Sequence, residues 1–547
     1  MILPRAYVLV TSLLALLEPV ISIPLTNENY APVVDLGYSQ YRGVSLSSGV
    51  DQYLGIRFAA PPLGDLRFRA PSPPPPVSGV QNATEFQPIC YALGAPPGGG
   101  STSESEDCLF LNVWSPTSAT AESKLPVWVF IQGGGYTQNS NFNYNGSTVV
   151  EKSGQNIVFV NFNYRVGAFG FLASEKVRQD GDLNVGLLDQ RSVLEWVQSH
   201  IEQFGGDPNH VVIHGTSAGA GSVALHLSAF GGRDDGLIAG AIGQSIFFPT
   251  QPQVADLEWQ FERYATSVGC AETIDTVSCL RSQDSSTLQM ANIAGPYPGK
   301  SGAPLFYYTP TIDGSFIQDY PYRLFEQGKF IKVPTMIGGD TDEGSYFGAN
   351  ASSPAEVAAF MENNYPRLTS SDTDAINAVY PVMAPLPQHN AYFPSASAAY
   401  GEATFTCPGN YISNLSAMND QTKIWNYRYD VLSVENVEAG LGVPHTFETP
   451  AVFGLGNTRD DIGSSSYGTY NADVIPIMMN YFISFIRDLN PNTYKYSAAP
   501  VWEDFGDPTL EGRRLLFQTN LTQMEEIPKE QTLRCEFWKE LAITMQQ

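Results

Sequence analysis

A chain of 547 residues in which 43% of side chains are hydrophobic can bury one large core, and no Ser/Gly-rich linker or charge run divides it. Its 55 acidic against 29 basic residues, a net charge of −26, repel nucleic acid and anionic membranes, so neither is expected as a stable partner. Six cysteines without C-x-x-C spacing, and the lack of an H-E-x-x-H pattern, argue against a bound metal, and none is expected.

The first element is a targeting segment. Arg5 precedes a mostly apolar stretch, residues 6–17, and Val20-Ile21-Ser22 suits signal peptidase, so residues 1–22 read as a signal peptide and 23–547 as one domain. Thr11, Ser12 and Glu18 interrupt a run already shorter than the ~20 apolar residues that span a bilayer. A secreted, extracellular protein agrees with the even cysteine count and with five glycosylation sequons, at Asn82, Asn145, Asn350, Asn414 and Asn520.

Further along, Tyr53–Phe58 runs into the proline-rich bend at 60–62 and reads as an antiparallel edge strand. The glycines at 98–100 adjoin no strand and read as plain loop. Pro126–Ile131 and Ile157–Val160 are near-continuous apolar runs, the pattern of strands buried on both faces of a mostly parallel sheet. Between the second run and Val211-Val212-Ile213, residues 187–204 carry Leu187, Val193, Leu194, Val197, Ile201 and Phe204 at helical spacing, which gives strand–helix–strand alternation. Val333–Ile337 and Lys423–Asp430 are later strands flanking a helical, less regular region, 351–420. The apolar run Ile475–Ile486 is too short to span a membrane and reads as a core helix.

Gly215-Thr216-Ser217-Ala218-Gly219 follows the strand at 211–213 directly and opens a small-residue stretch, Ala220–Leu227, that reads as a helix. Strand, sharp glycine-bounded turn and helix make a nucleophile elbow. The turn forces Ser217 to project its hydroxyl, and glycines two residues to either side let neighbouring chain approach without a Cβ. In that topology the acid and then the histidine follow the serine in the chain. Of six histidines only His389 and His445 lie far enough downstream, and His445, beyond the strand at 423–430, is the better placed. Asp340, Asp342 and Glu343 all follow the strand ending at Ile337, and the residues alone do not choose among them. Gly133-Gly134-Gly135-Tyr136, immediately after the strand at 126–131, could bring backbone N–H groups to an oxyanion.

With these residues in place, the chain resembles the type-B carboxylesterase/lipase family over nearly its whole length. The blocks that carry the resemblance include Glu106–Asn112, Gly133–Tyr136, Asn163–Phe171, Asn184–Arg191, Phe204–Pro208, the elbow, Asp342–Ser345 and Val452-Phe453-Gly454. The resemblance implies an α/β-hydrolase fold, with a large central mostly parallel sheet, helices on both faces and a small N-terminal antiparallel sheet. It also implies Glu343 as the acid, His445 as the base, oxyanion N–H groups from Gly134, Gly135 and Ala218, and disulfides Cys90–Cys108, Cys270–Cys279 and Cys407–Cys535. No cofactor is implied.

Two departures from the family narrow the substrate. Many active relatives carry glutamate just before the nucleophile, but here the place is held by Thr216, which removes a negative charge and disfavours a cationic choline ester. Only seventeen residues separate Cys90 from Cys108, rich in Gly, Pro, Ser and Glu, too polar for an amphipathic lid at an oil interface. Tyr136, Phe247 and Phe248 are candidates for an acyl pocket. The expectation is a secreted serine esterase acting on a small-molecule ester of short-to-medium acyl length. Its rivals are an esterase or acyltransferase of one secreted secondary metabolite, a true lipase, and a non-catalytic adhesion-type relative.

Overall fold

The computed structural model describes residues 30–96, 104–139, 144–418, 423–458, 463–507 and 512–547; the expected signal peptide and the glycines at 98–100 lie outside these. Among the described residues fifteen strands form in chain order: β1 Tyr30–Asp35, β2 Gln40–Ser45, β3 Val50–Arg57, β4 Val80–Asn82, β5 Ile89–Cys90, β6 Glu104–Ser105, β7 Phe110–Pro116, β8 Leu125–Ile131, β9 Val158–Phe162, β10 Gly206–Thr216, β11 Gly240–Gln244, β12 Thr335–Asp340, β13 Ile424–Asp430, β14 Arg513–Gln518 and β15 Leu521–Glu526. Thirteen join one sheet, ordered β1-β2-β3-β7-β9-β8-β10-β11-β12-β13-β14-β15, with β4 beside β2; β5 and β6 form a small second sheet.

From β9 to β14 every neighbour runs parallel, while β1, β2, β3 and β7 pair antiparallel up to β9, β4 runs parallel to β2, and β15 pairs antiparallel with β14. The continuous apolar runs are explained by what covers each face. In β8, Val127, Val129 and Ile131 point into one apolar core, shared with the helices Val185–His200 and Ala218–Gly232. Trp128 and Phe130 point into the other, shared with the helix Val474–Asp488. A period of two on a sheet covered on both sides needs apolar residues at every position.

The helix predicted from the spacing over 187–204 is Val185–His200 continued by a 3₁₀ turn, Ile201–Phe204, which Gly205 ends in left-handed backbone. The irregular region 351–420 resolves into the helices Pro354–Asn364, Ser370–Val379, Phe393–Gly401 and Cys407–Ala417. The apolar run at 475–486 is a core helix, and among the described residues no helix is long and apolar enough to cross a membrane. Disulfides join Cys90 to Cys108, Cys270 to Cys279 and Cys407 to Cys535. The third ties the helix Cys407–Ala417 to the helix Lys529–Leu541 across 128 residues, a closure worth about 5 kcal/mol in a chain-entropy account.

Two histidines are locked inside these layers. Trp128 Nε1–H donates to His214 Nδ1 (3.0 Å), so His214 Nε2–H donates to Gln244 Oε1 (2.6 Å), and His226 Nε2 pairs with Gln190 Oε1 (3.0 Å). Burial pushes both imidazoles down from their ordinary 6.5 to about 3. A depressed folded-state value costs nothing above 6.5; below it the unfolded chain takes up protons the folded chain refuses, and stability falls until about 3. By pH 4 each histidine should remove about 3 kcal/mol. Urea midpoints should therefore drop between neutral pH and pH 4, and drop less in His226→Gln; an equal drop in both proteins would refute this source of acid sensitivity.

Candidate active site

Four parallel strands, β10 to β13, end on one edge of the sheet, and the segments that follow them carry the site. Ser217 follows β10 directly with φ +59° and ψ −125°, a strained backbone for a residue with a side chain, and the helix Ala218–Gly232 starts at the next residue. The flanking glycines are required by contact. A Cβ at Gly215 would lie 2.1 Å from the Gly219 carbonyl group, and one at Gly219 would lie 1.9 Å from Ile131 O. The Ser217 N–H donates to Gln244 O (2.9 Å), which fastens the elbow to the end of β11.

The loop after β8 lies against this elbow. A Cβ at Gly133 would stand 2.9 Å from Ser217 Cβ and 2.8 Å from Thr216 O. Gly134 and Gly135 have φ of +107° and +62°. The Gly134 carbonyl turns back to accept the Thr137 and Gln138 N–H groups (3.0 and 3.1 Å), while among the described residues no backbone carbonyl accepts the N–H of Gly134 or Gly135. The Ala218 N–H heads the first turn of its helix, where no carbonyl of the same helix can reach it.

The three carboxylates beyond Ile337 take three different roles. Glu343 binds His445 through a short contact between Oε2 and Nδ1, and its Oε1 accepts the Asp340 N–H (2.9 Å). Asp342 fastens the loop that carries the histidine: its N–H donates to Val443 O and its Oδ2 accepts the Val443 N–H, both at 2.9 Å. Asp340 is buried beside Glu448. His445 is 5% exposed, and among the described residues its Nε2 has no hydrogen-bond partner, so the nitrogen that Glu343 leaves free has its lone pair available. His389 lies on the surface, with Nδ1 on its neighbour's carbonyl, Pro387 O (2.7 Å), and its ring stacked on Phe393.

An aromatic cluster runs from this histidine to the glycine loop. The His445 ring packs on Phe405 (4.4 Å between centroids) and Phe347 (5.1 Å); Phe405 stacks on Phe247 (5.4 Å), and Phe247 meets Phe306 edge-on (4.8 Å). The Phe306 ring fills the space a Cβ at Gly135 would need, 2.0 Å away. Phe405 lies in a π-helical stretch, Glu402–Thr406, joining two α-helices, and such wide turns re-aim a side chain relative to the regular helix. Of this cluster, sequence reasoning singled out Phe247 alone. Phe306, Phe347 and Phe405 come from segments without apolar period, and the irregularity of 351–420 was a trace of Phe405 alone.

A model of the carboxylesterase family matches residues 30–538. The chain belongs to the carboxylesterase family. It is similar to Lipase 2 of Geotrichum candidum (32% identical, covering 89% of this chain and 91% of that one) and to secreted lipase 4 of Gibberella zeae (29%, covering 97% of each). It is likewise similar to the acetylcholinesterase of Bungarus fasciatus (31%, covering 91% and 84%). Among solved structures it is similar to EstA of Aspergillus niger, with 54% identity, a TM-score of 0.92, and coverage of 95% of this chain and 100% of that one. The protein is thus a serine ester hydrolase with the α/β-hydrolase architecture.

The remaining candidates in this carboxylesterase divide by direction. Tyr136 is fully buried behind the glycine loop, against Phe171 and Phe247, and its burial raises the phenol pKa above the ordinary range. Phe248 packs on Tyr322, and its carbonyl accepts the Gln547 amide, so it belongs to the core. Thr216, 1% exposed, donates its hydroxyl to Gln244 Oε1 (3.0 Å) inside the sheet.

Proposed function

We propose that this carboxylesterase is a secreted hydrolase of short-to-medium acyl esters that works through Ser217, His445, Glu343 and an acyl-enzyme. The observation that carries the reading is the Phe247, Phe306, Phe347 and Phe405 cluster, which closes the space between His445 and the glycine loop. His445 Nε2 takes the proton of Ser217 as its oxygen attacks the ester carbonyl, and Glu343 holds the imidazole by Nδ1 and stabilises its charge. The N–H groups of Gly134, Gly135 and Ala218 receive the oxyanion. The imidazolium returns the proton to the leaving alcohol, and a water then hydrolyses the acyl-enzyme by the same route in reverse.

A chain-length series of nitrophenyl esters tests the acyl preference. Acetyl to octanoyl esters should turn over best, and emulsified long-chain esters should show kcat/KM about 100-fold lower. Phe306→Ala should recover much of that loss. Activity on long emulsified esters alone would reverse the assignment in favour of a lipase, and turnover only with an acceptor alcohol would favour an acyltransferase.

Secretion is supported by three disulfides and by relatives whose names include secreted lipases. Asn82, Asn350, Asn414 and Asn520 are exposed and Asn145 is half-buried. Material secreted by a eukaryotic host should begin at Ile23 and lose mass on treatment with an N-glycosidase; an unprocessed start with no mass change would overturn both assignments.

A further inference from the structure

We propose that Asp340 and Glu448 share a single proton behind the triad, and that this pair, carrying one negative charge, positions Glu343 and His445. The inference rests on the roles assigned above to Ser217, His445 and Glu343. Asp340 ends β12 and is 3% exposed; Glu448 follows His445 by three residues and is fully buried. The two side chains interact directly with each other. Among the described residues neither Asp340 oxygen nor Glu448 Oε2 makes a well-formed hydrogen bond, the Thr446 and Glu448 N–H groups acting on them only weakly, whereas Glu448 Oε1 accepts from Gln244 Nε2 (3.2 Å) and Tyr427 OH (3.3 Å).

Two ionised carboxylates buried against each other with only weak donors would carry both a desolvation cost and mutual repulsion. One proton turns the same contact into a donor–acceptor pair. Burial, and then the charge of Glu448, pushes Asp340 well above the usual carboxylate range, and burial raises Glu448 as well, so the proton belongs to the pair. The surrounding groups agree. Glu343 is a further negative charge that opposes ionisation of Asp340, and the nearby Thr446 N–H favours it only as the smallest influence. Tyr427, Tyr429 and Tyr467 are buried with phenols pushed well above their ordinary range, so they are neutral. Arg428 and Arg514 stand across a cavity of about 290 Å³ that Asp340 and Glu343 also line, but both guanidiniums are bound to Glu525.

The pair connects to the chemistry at both ends. The Asp340 N–H holds Glu343 Oε1, and Glu448 lies three residues beyond His445, at the N-cap of the helix Thr449–Phe453. Through Gln244, which donates to Glu448 and accepts from Thr216, the same network reaches the residue before the nucleophile. A second full charge here would overstabilise the imidazolium and hinder return of its proton to the leaving alcohol.

The acid limb of the kcat/KM profile reads that charge. With one shared proton, wild type, Asp340→Asn and Glu448→Gln all keep a single negative charge at the pair, and the double variant keeps none. The two single variants should therefore move the limb by less than about 0.3 pH unit, and the double variant should lower it by about 1 unit. If Asp340→Asn alone lowers it about half as far as the double variant does, the pair is doubly ionised and the proposal fails. A direct reading needs no folded variant: wild-type enzyme at neutral pH should show a carboxylic acid C=O infrared band, and its absence would also overturn the proposal. Labelling of Ser217 by a phosphonate in the same samples tests the triad separately, so the two failures are distinguishable.

Discussion

Ser217→Ala is expected to lower kcat on a soluble nitrophenyl ester by about 10⁶-fold and to abolish phosphonate labelling, with the fold intact. The serine oxygen is the only proposed nucleophile. The elbow itself is held by the Ser217 N–H on Gln244 O and by contacts of Gly215 and Gly219, which the substitution leaves alone. About 10³-fold of catalysis over water should survive, from oxyanion N–H groups and binding that remain in place. If the variant retained more than about 1% of wild-type kcat, ester cleavage would have to proceed by another route.

The second large effect belongs to the acid. In Glu343→Gln an amide replaces the carboxylate that binds His445 Nδ1. An amide N–H pointed at that nitrogen favours the tautomer with hydrogen on Nε2, which cannot accept the serine proton, and the stabilisation of the imidazolium is lost as well. kcat should fall about 10⁴-fold while KM for a neutral ester changes little, because the carboxylate touches no substrate. Asp342→Asn is the contrast: its Oδ can still accept the Val443 N–H, and its activity should stay within about 10-fold of wild type. If the Asp342 variant were the one to lose 10⁴-fold, the roles of the two carboxylates would be exchanged.

Much of this site was legible before any coordinates. The strand at 211–213, the glycine spacing and the small-residue helix place Ser217 at an elbow because close backbone contacts, now seen at Gly215 and Gly219, tolerate no Cβ. Strands β8, β9, β12 and β13 were readable because a sheet covered on both faces needs apolar residues at successive positions. His445 followed from chain order. The choice among Asp340, Asp342 and Glu343 did not, because three adjacent acids look alike until the loops after β12 and β13 are brought together. Phe306, Phe347 and Phe405 were invisible for the same reason, each lying in a different segment.

The sequence by itself thus determined the α/β class, the elbow at Ser217 and the glycine loop, since these depend on local backbone sterics and on the periodicity of burial. Residue pattern left the acid open and the family resemblance pointed to Glu343; the tertiary structure supplied its contact with His445, and it alone decided which phenylalanines border the site and that Asp340 meets Glu448. The contacts of Glu343 with His445 and of Asp340 with Glu448 join segments about a hundred residues apart, and short-range pattern carries no information on which buried partners such segments meet.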